Sequence, residues 1–200
     1  MTQVFAAPYN ADMGQALQKN LSVFEFLDFD NLSQDRHEYV AGRFFAMTGG
    51  TMRHNRVSFN IARILGDLLE GLPCQVFIND MKLHVQEADS VYYPDVMVYC
   101  GSALAGDEKL VSDASLIVEV SSESTAEIDR REKLSAYRKL PSLKAYWIVS
   151  QTQRRVEMHS RDALGRWQAV AYERGESLPD VGLQGMELDL DSFYAGTDVA

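Results

Sequence analysis

Two carboxylates stand where a folding chain does not put them without a use. Asp95 follows Pro94 at the head of the apolar run VMVYC, and Glu119 sits inside LIVEV (116–120), a run otherwise suited to a core. A carboxylate buried without a partner costs several kcal/mol, so each needs a cation, a donor or an exposed strand end. Taken alone, Asp95 reads as a turn residue before a strand, and Glu119 as an edge-strand acid paired with an Arg. Two such acids on neighbouring strands suit a hard divalent cation such as Mg2+, which takes one or two carboxylates plus waters and substrate phosphate. Mn2+ is the natural substitute.

Asp129, Lys133 and Tyr137 follow at i, i+4 and i+8 and so share one helical face. That pattern also describes a solvated salt-bridge stripe. The chemical alternative brings Lys133 to the carboxylates, where its ammonium orients an attacking water and steadies developing negative charge. Glu38 is a candidate third carboxylate, or else a surface strand charge. His54 opens a helix after a Gly-Gly loop, where free N–H groups attract anions; a solvated helix-terminal His fits there as well.

The elements that must carry these residues are readable in outline. SVFEFLDF reads as a helix with Ser22 and Glu25 as a capping box, and EYVAGRFFAM (38–47) as two short strands around Ala41-Gly42. Val57, Ile61, Ile64, Leu65 and Leu68 recur at helical spacing, so residues 54–70 form an amphipathic helix that ends near Gly71. Strands are expected at 74–78, 81–85, 92–100 and 115–120, then a helix opened by Ser124 and closed by Pro141. A meander follows at 145–150, 154–160 and 166–172, with a last short strand at 186–190. The first twenty residues show no pattern and are expected to be loose, leaving 21–200 as a single α/β domain with a mixed sheet.

Composition narrows the function. At 200 residues with 46% hydrophobic and 24% charged residues, the chain is of ordinary globular make-up. No apolar run approaches the ~18 residues of a membrane span, and MTQVFAAPYNADMGQ lacks the basic start of a signal peptide. Cys74 and Cys100 flank apolar runs and are expected as buried thiols in a reducing, cytoplasmic setting rather than as a disulfide. The net charge of -10 is terminal: residues 1–35 hold five acids and one base, residues 173–200 seven acids and one base, and the 17 acids and 17 bases between them cancel. No basic stripe dominates, which excludes tight nonspecific DNA binding without a metal. The nearest to a phosphate-facing patch is 129–139, with five bases against two acids. Phosphate-binding P-loops, dinucleotide-binding glycine triplets, zinc helices and nucleophile elbows are all missing.

In order, HEYVAGRFFAMTGGTMRHN (37–55), YYPDVMVYC (92–100) and LIVEVSSESTAEIDRREKLSAYRKLPSLKAYWIVS (116–150) resemble the Uma-type family of putative restriction endonucleases, a branch of the PD-(D/E)XK nuclease superfamily. The resemblance spans about residues 22–194. It implies a restriction-endonuclease-like fold, a mixed central sheet flanked by helices with a C-terminal β meander, and a metal site where strands splay. Asp95 matches the Asp of the PD motif and Glu119 the acid of the (D/E)XK motif. Ser121 stands where the superfamily usually has its lysine, and Lys133 matches the helical lysine that substitutes in the Uma-type branch. Glu38 and His54 match the branch's N-terminal acid and histidine.

The reading is a Mg2+-dependent endonuclease acting on duplex or single-stranded DNA. Asp95, Glu119 and Lys133 are catalytic, Asp95, Glu119 and Glu38 hold the metal, and His54, Asp129 and Tyr137 support them. A homodimer is expected, since two symmetry-related sites cut both strands most easily. The competing readings are a silent nuclease-fold binding module, favoured by Ser121 and the acidic tail, and a metal-dependent hydrolase of RNA or nucleotides.

Overall fold

A computed structural model of the chain describes residues 20–121, 126–180 and 187–200. The expected loose segment 1–19, the cap at Ser124 and the start of the last strand at Met186 lie outside these residues.

The first helix, α1 (Val23–Leu32), begins as its sequence dictates: the Ser22 side chain accepts the Glu25 N–H while the Glu25 carboxylate accepts the Ser22 N–H. Strands β1 (His37–Val40) and β2 (Arg43–Ala46) form a two-residue hairpin through Ala41 and Gly42, both at positive φ. Helix α2 (Met52–Leu68) is capped by Thr51 and turns Val57, Ile61 and Leu65 inward. Strands β3 (Gln75–Ile78), β4 (Lys82–Val85), β5 (Ser90–Tyr92), β6 (Val96–Tyr99), β7 (Leu110–Val111) and β8 (Leu116–Ser121) follow. Next come α3 (Ala126–Ile128), a π-helical turn (Asp129–Lys133) and α4 (Leu134–Tyr137). The meander is β9 (Ala145–Ser150), β10 (Arg155–Arg161) and β11 (Trp167–Glu173), and β12 (Ser177–Leu178) pairs with β13 (Leu188–Asp189) before a 3-10 turn (Leu190–Tyr194).

The strands divide into a five-stranded sheet ordered β2-β1-β5-β4-β7 and a six-stranded mixed sheet ordered β11-β10-β9-β8-β6-β3. The run 92–100, read above as one strand, is two strands in different sheets. Pro94 has no N–H to give a ladder, and the chain leaves one sheet before it and joins the other after it. Asp95 therefore stands at the crossing between the sheets.

Three apolar clusters hold this arrangement. Val57, Ile61 and Leu65 of α2 pack on Val96, Val98, Val118 and Trp147, on one face of the six-stranded sheet. On its other face Ile117, Tyr146 and Ile148 meet Tyr137, Tyr92 and Leu83, which joins the two sheets. Phe26 of α1 covers Tyr39, Phe44 and Val91 on the far side of the smaller sheet. Each large side chain buried in this way contributes ~1.5–3 kcal/mol. Cys74 and Cys100 are joined in a disulfide, against expectation. Antiparallel pairing sets Gln75 opposite Tyr99, so the two cysteines fall opposite each other one step further along, with Cα atoms 4.1 Å apart. The register that creates this meeting is not visible in two cysteines 26 residues apart. The argument from cysteine usage for a reducing compartment no longer stands. Among the described residues no helix is long and apolar enough to cross a membrane.

A buried polar knot ties α1 to the chain that leads to Asp95. The Asp30 carboxylate accepts the His37 N–H at 3.0 Å and the Tyr93 hydroxyl, and pairs with Lys82 at 3.2 Å. Lys82 also donates to Asn31, and its ammonium lies 5.5 Å from the centre of the Tyr93 ring. Burial pushes the Asp30 carboxyl up, but His37, Tyr93 and Lys82 outweigh it and hold it below its ordinary value of 3.8. With a folded value below the unfolded one, this stabilisation is present above 3.8 and is lost as pH falls through the folded value. Asp30→Asn leaves the buried Lys82 without its counter-ion and is expected to cost about 3 kcal/mol in urea unfolding at neutral pH. The gap to the wild type should narrow as pH falls below 3.8 and through the lower folded value, where Asp30 takes a proton in the folded state as well; a constant gap would show that the charge contributes nothing.

Candidate active site

The two sheets and the helical segment after β8 each send an acid to one point. Val96 pairs with Val118, so the next step of the register sets Asp95 beside Glu119. The β6–β8 ladder ends there, and the Asp95 carboxylate takes over: its Oδ2 accepts the Val120 N–H at 2.7 Å. Glu119 is 4% exposed on β8. From the other sheet, Glu38 on β1 reaches the same place, and the π-helical turn adds Asp129.

At the centre of these acids lies the Lys133 ammonium. Nζ stands 2.9 Å from Glu38 Oε1, 3.1 Å from Glu119 Oε1 and 3.9 Å from Asp129 Oδ1. Tyr137 Oη donates to the same Glu119 oxygen at 2.8 Å, and Tyr146 Oη donates to the Asp129 carbonyl at 3.2 Å. The widened turn between α3 and α4 keeps both Asp129 and Lys133 buried, a local irregularity of the kind that recurs at functional sites. Ser121 shares a face with Glu119 by alternation and brings only a hydroxyl, so the cation at Glu119 arrives from the helix.

Three carboxylates face one ammonium, with Asp95 beside Glu119 as a fourth acid, and the titration of Glu119 shows the imbalance. Burial pushes the Glu119 carboxyl well up; Lys133 opposes this, while Asp95, Asp129 and Glu38 add to it. Burial alone would lower Lys133, but Glu119, Glu38 and Asp129 hold it well above the ordinary lysine value. Tyr137 and Tyr146 are also pushed well up, by burial and then by Glu119. The site is thus rich in hard oxygen donors and in negative charge. Glu38 Oε1 is buried without a hydrogen bond, since Lys133 approaches it as an ion pair outside hydrogen-bonding angles. In donor type and charge these residues fit a divalent cation. Among the described residues no three His, Cys, Asp or Glu side chains form a ready ligand cage, because the ammonium holds the point of convergence.

His54 completes the group. Its Nε2 is 3.1 Å from Asp95 Oδ2. Its position follows from the loop before α2: Thr51 accepts the His54 N–H at 3.1 Å and donates to Gln151 Oε1 at 2.6 Å, which ties the start of α2 to the end of β9. All seven residues expected from sequence therefore converge, Glu38, His54, Asp95, Glu119, Asp129, Lys133 and Tyr137. Sequence reading missed Tyr146, Thr51, Gln151 and Glu132. Burial pushes the Glu132 carboxyl up and the neighbouring Glu38 pushes it further, with Lys133 and Arg43 opposing. A Thr three residues before His54 was a visible capping signal; the others depend on tertiary contacts with no local trace.

Gly50 sets the histidine ring. A Cβ at this position would lie 2.8 Å from His54 Nδ1 and 3.1 Å from its Cγ, and the backbone there is not left-handed. Gly50→Ala therefore acts only by pushing the ring. Burial pushes His54 down, but the Asp95 carboxylate outweighs it and leaves the pKa above 6.5. In Gly50→Ala the His54 midpoint, followed by proton NMR of the imidazole, should fall toward 6.5 while the melting temperature stays nearly constant. An unmoved midpoint would mean that Gly50 does not hold the ring against Asp95.

A sequence model of the Uma2 family, described as "Putative restriction endonuclease", matches residues 23–191. Two proteins of Synechocystis sp. (strain ATCC 27184 / PCC 6803 / Kazusa) are similar. The uncharacterized protein sll1609 is 32% identical over 154 residues, 76% of this chain and 87% of its own length. The uncharacterized protein slr1290 is 28% identical over 176 residues, 88% of this chain and 92% of its own. Among solved structures, a "putative nuclease belonging to DUF820" from Anabaena variabilis ATCC 29413 superposes with a TM-score of 0.73 at 11% identity, covering 88% of this chain and 98% of that one. At that identity the likeness concerns the fold alone.

Proposed function

This chain belongs to the Uma2 family, and from that premise we propose that it is a Mg2+-dependent DNA endonuclease, with Mn2+ as a substitute, that hydrolyses phosphodiester bonds at the Asp95–Glu119–Lys133 site. The observation that carries the reading is the surplus of buried carboxylate over ammonium at one point between two sheets. A surplus of this kind is costly in an apo protein and is relieved by a divalent cation. Asp95 and Glu119 would hold the ion, with Glu38 as the third oxygen donor. When bound, such an ion polarises a phosphoryl oxygen and acidifies a water.

The chain's own groups do the rest. Lys133 donates to the attacking water and to the phosphate oxygens, on which negative charge grows as water oxygen bonds to phosphorus and the ester oxygen leaves. Asp129 keeps its ammonium charged and aimed. Tyr137 fixes one Glu119 oxygen, so the carboxylate cannot turn away. His54 and the Val120 N–H fix Asp95 in the same way. Loading with the ion also removes the charge objection to DNA, since the acids cease to repel phosphate. A homodimer would let two sites meet both strands of a duplex.

Purified protein should nick supercoiled plasmid with Mg2+ or Mn2+ and not with EDTA, and Asp95→Asn and Lys133→Met should each lower the rate at least ~100-fold. Withdrawing Lys133 from buried acids costs about 3–5 kcal/mol, so melting curves must show that variant folded at the assay temperature. The isosteric Asp95→Asn keeps the test decisive if it does not fold. Metal-independent nicking, or full activity in Asp95→Asn, would overturn the proposal. Hydrolysis of RNA or free nucleotides without any action on DNA would favour the other hydrolase reading.

A further inference from the structure

One face of the smaller sheet packs under α1, and the other turns toward the six-stranded sheet and the acids. Phe44 points to the packed side, where it meets Phe26, Tyr39 and Val91. Its neighbour Phe45 points the other way. Register places Phe45 opposite Glu38 and Arg43 opposite Val40, so Arg43, Phe45 and Glu38 share one face. Phe45 is half-buried and Arg43 exposed, with the guanidinium 5.6 Å from the centre of the Phe45 ring. Half-buried Met47 continues the edge strand toward the Gly50 loop and His54. The aromatic ring thus flanks the acid that touches Lys133, and it belongs to none of the three apolar clusters.

Along the same face Val40 packs against the cluster between the sheets and pairs on its other side with buried Ser90, at the edge of a groove of about 480 Å3. Ala88 and Ser90 form one wall; Arg131, Glu132, Ser135 and Lys139 form the other. A volume of this size suits a nucleotide, and Arg131 and Lys139 supply positive charge in its wall.

We propose that Phe45 is a stacking platform for an unpaired nucleobase of DNA beside the phosphate to be cut, with Arg43 on the adjoining phosphate. The inference rests on the nuclease reading and deepens it to a substrate class: single-stranded or locally unpaired DNA. An aromatic face accepts any base, and a guanidinium beside it meets the backbone, the two features that a single strand presents and a closed duplex hides. The Phe45 side chain carries no polar group, so replacing it removes no hydrogen bond or ion pair from the acids or Lys133.

The probe is a fluorescent thymidine oligonucleotide of about twelve nucleotides, compared with a duplex of equal length, with Ca2+ in place of Mg2+. Phe45→Leu, which keeps apolar bulk without a ring, should weaken single-strand binding about tenfold and leave duplex binding unchanged. Phe45→Trp should keep the affinity, and the added tryptophan emission should be quenched as oligonucleotide binds. Wild-type affinity in Phe45→Leu with unquenched emission in Phe45→Trp would overturn this inference and leave the nuclease reading intact. An equal loss on both probes would also overturn it, since the hairpin would then act only as structure. A wild-type protein that binds neither probe would overturn both.

Discussion

One ammonium among buried carboxylates governs this molecule. Lys133 is 8% exposed and stands within 4 Å of Glu38, Glu119 and Asp129, which come from two different sheets and a helical turn. No one of these acids could be buried alone, and the lysine could not be buried without them. Their mutual attraction therefore fixes where the smaller sheet sits against the larger one. The tyrosines around them serve the same end. Tyr92, Tyr137 and Tyr146 stack edge to face at 5.1–5.2 Å, which walls the charges from water while Tyr137 spends its hydroxyl on Glu119. A dry wall raises the worth of every charge inside it, attractive or repulsive.

The arrangement leaves a surplus of negative charge in a place the chain has made rigid. A stability argument alone does not explain so many acids at one point, since Asp95 and Asp129 both make the Glu119 charge harder to keep. Their presence at the crossing of two sheets, where β6 and β8 stop pairing, is accounted for by the proposed work on a cation and a phosphate. Asp30 and its partners act at a distance from that work. By gripping Tyr93, two residues before Asp95, they hold the crossing segment from behind, in a knot where His37, Lys82 and Tyr93 all meet one carboxylate.

Much of this was legible in the chain. A lone acid in LIVEV, a Pro-Asp before an apolar run and Asp, Lys and Tyr at four-residue steps each defy the bland pattern around them, and they meet in space. Local signals served as well: the Ser22–Glu25 box, the Ala41-Gly42 hairpin and the helical spacing from Val57 to Leu65. What failed was whatever depended on register or tertiary contact. The run 92–100 reads as one strand because its hydrophobicity is continuous, and only the missing N–H of Pro94 marks the crossing. The Cys74–Cys100 bond depends on the pairing of β3 with β6, which two isolated cysteines do not announce. The π-helical turn leaves the i, i+4 spacing of Asp129 and Lys133 intact, so nothing in the pattern betrays it. The Asp30 knot draws on residues from 30 to 93 that share no periodicity at all.

The central claim is that the carboxylate surplus around Lys133 is a place for a divalent cation. Electron paramagnetic resonance of Mn2+ added to the protein tests it without any substrate. The account predicts one tightly bound ion per chain, lost in Glu119→Gln, which keeps the hydrogen bond from Tyr137 and removes the charge. Wild-type protein that leaves all the Mn2+ free, or a Glu119→Gln variant that binds it as before, would contradict the account.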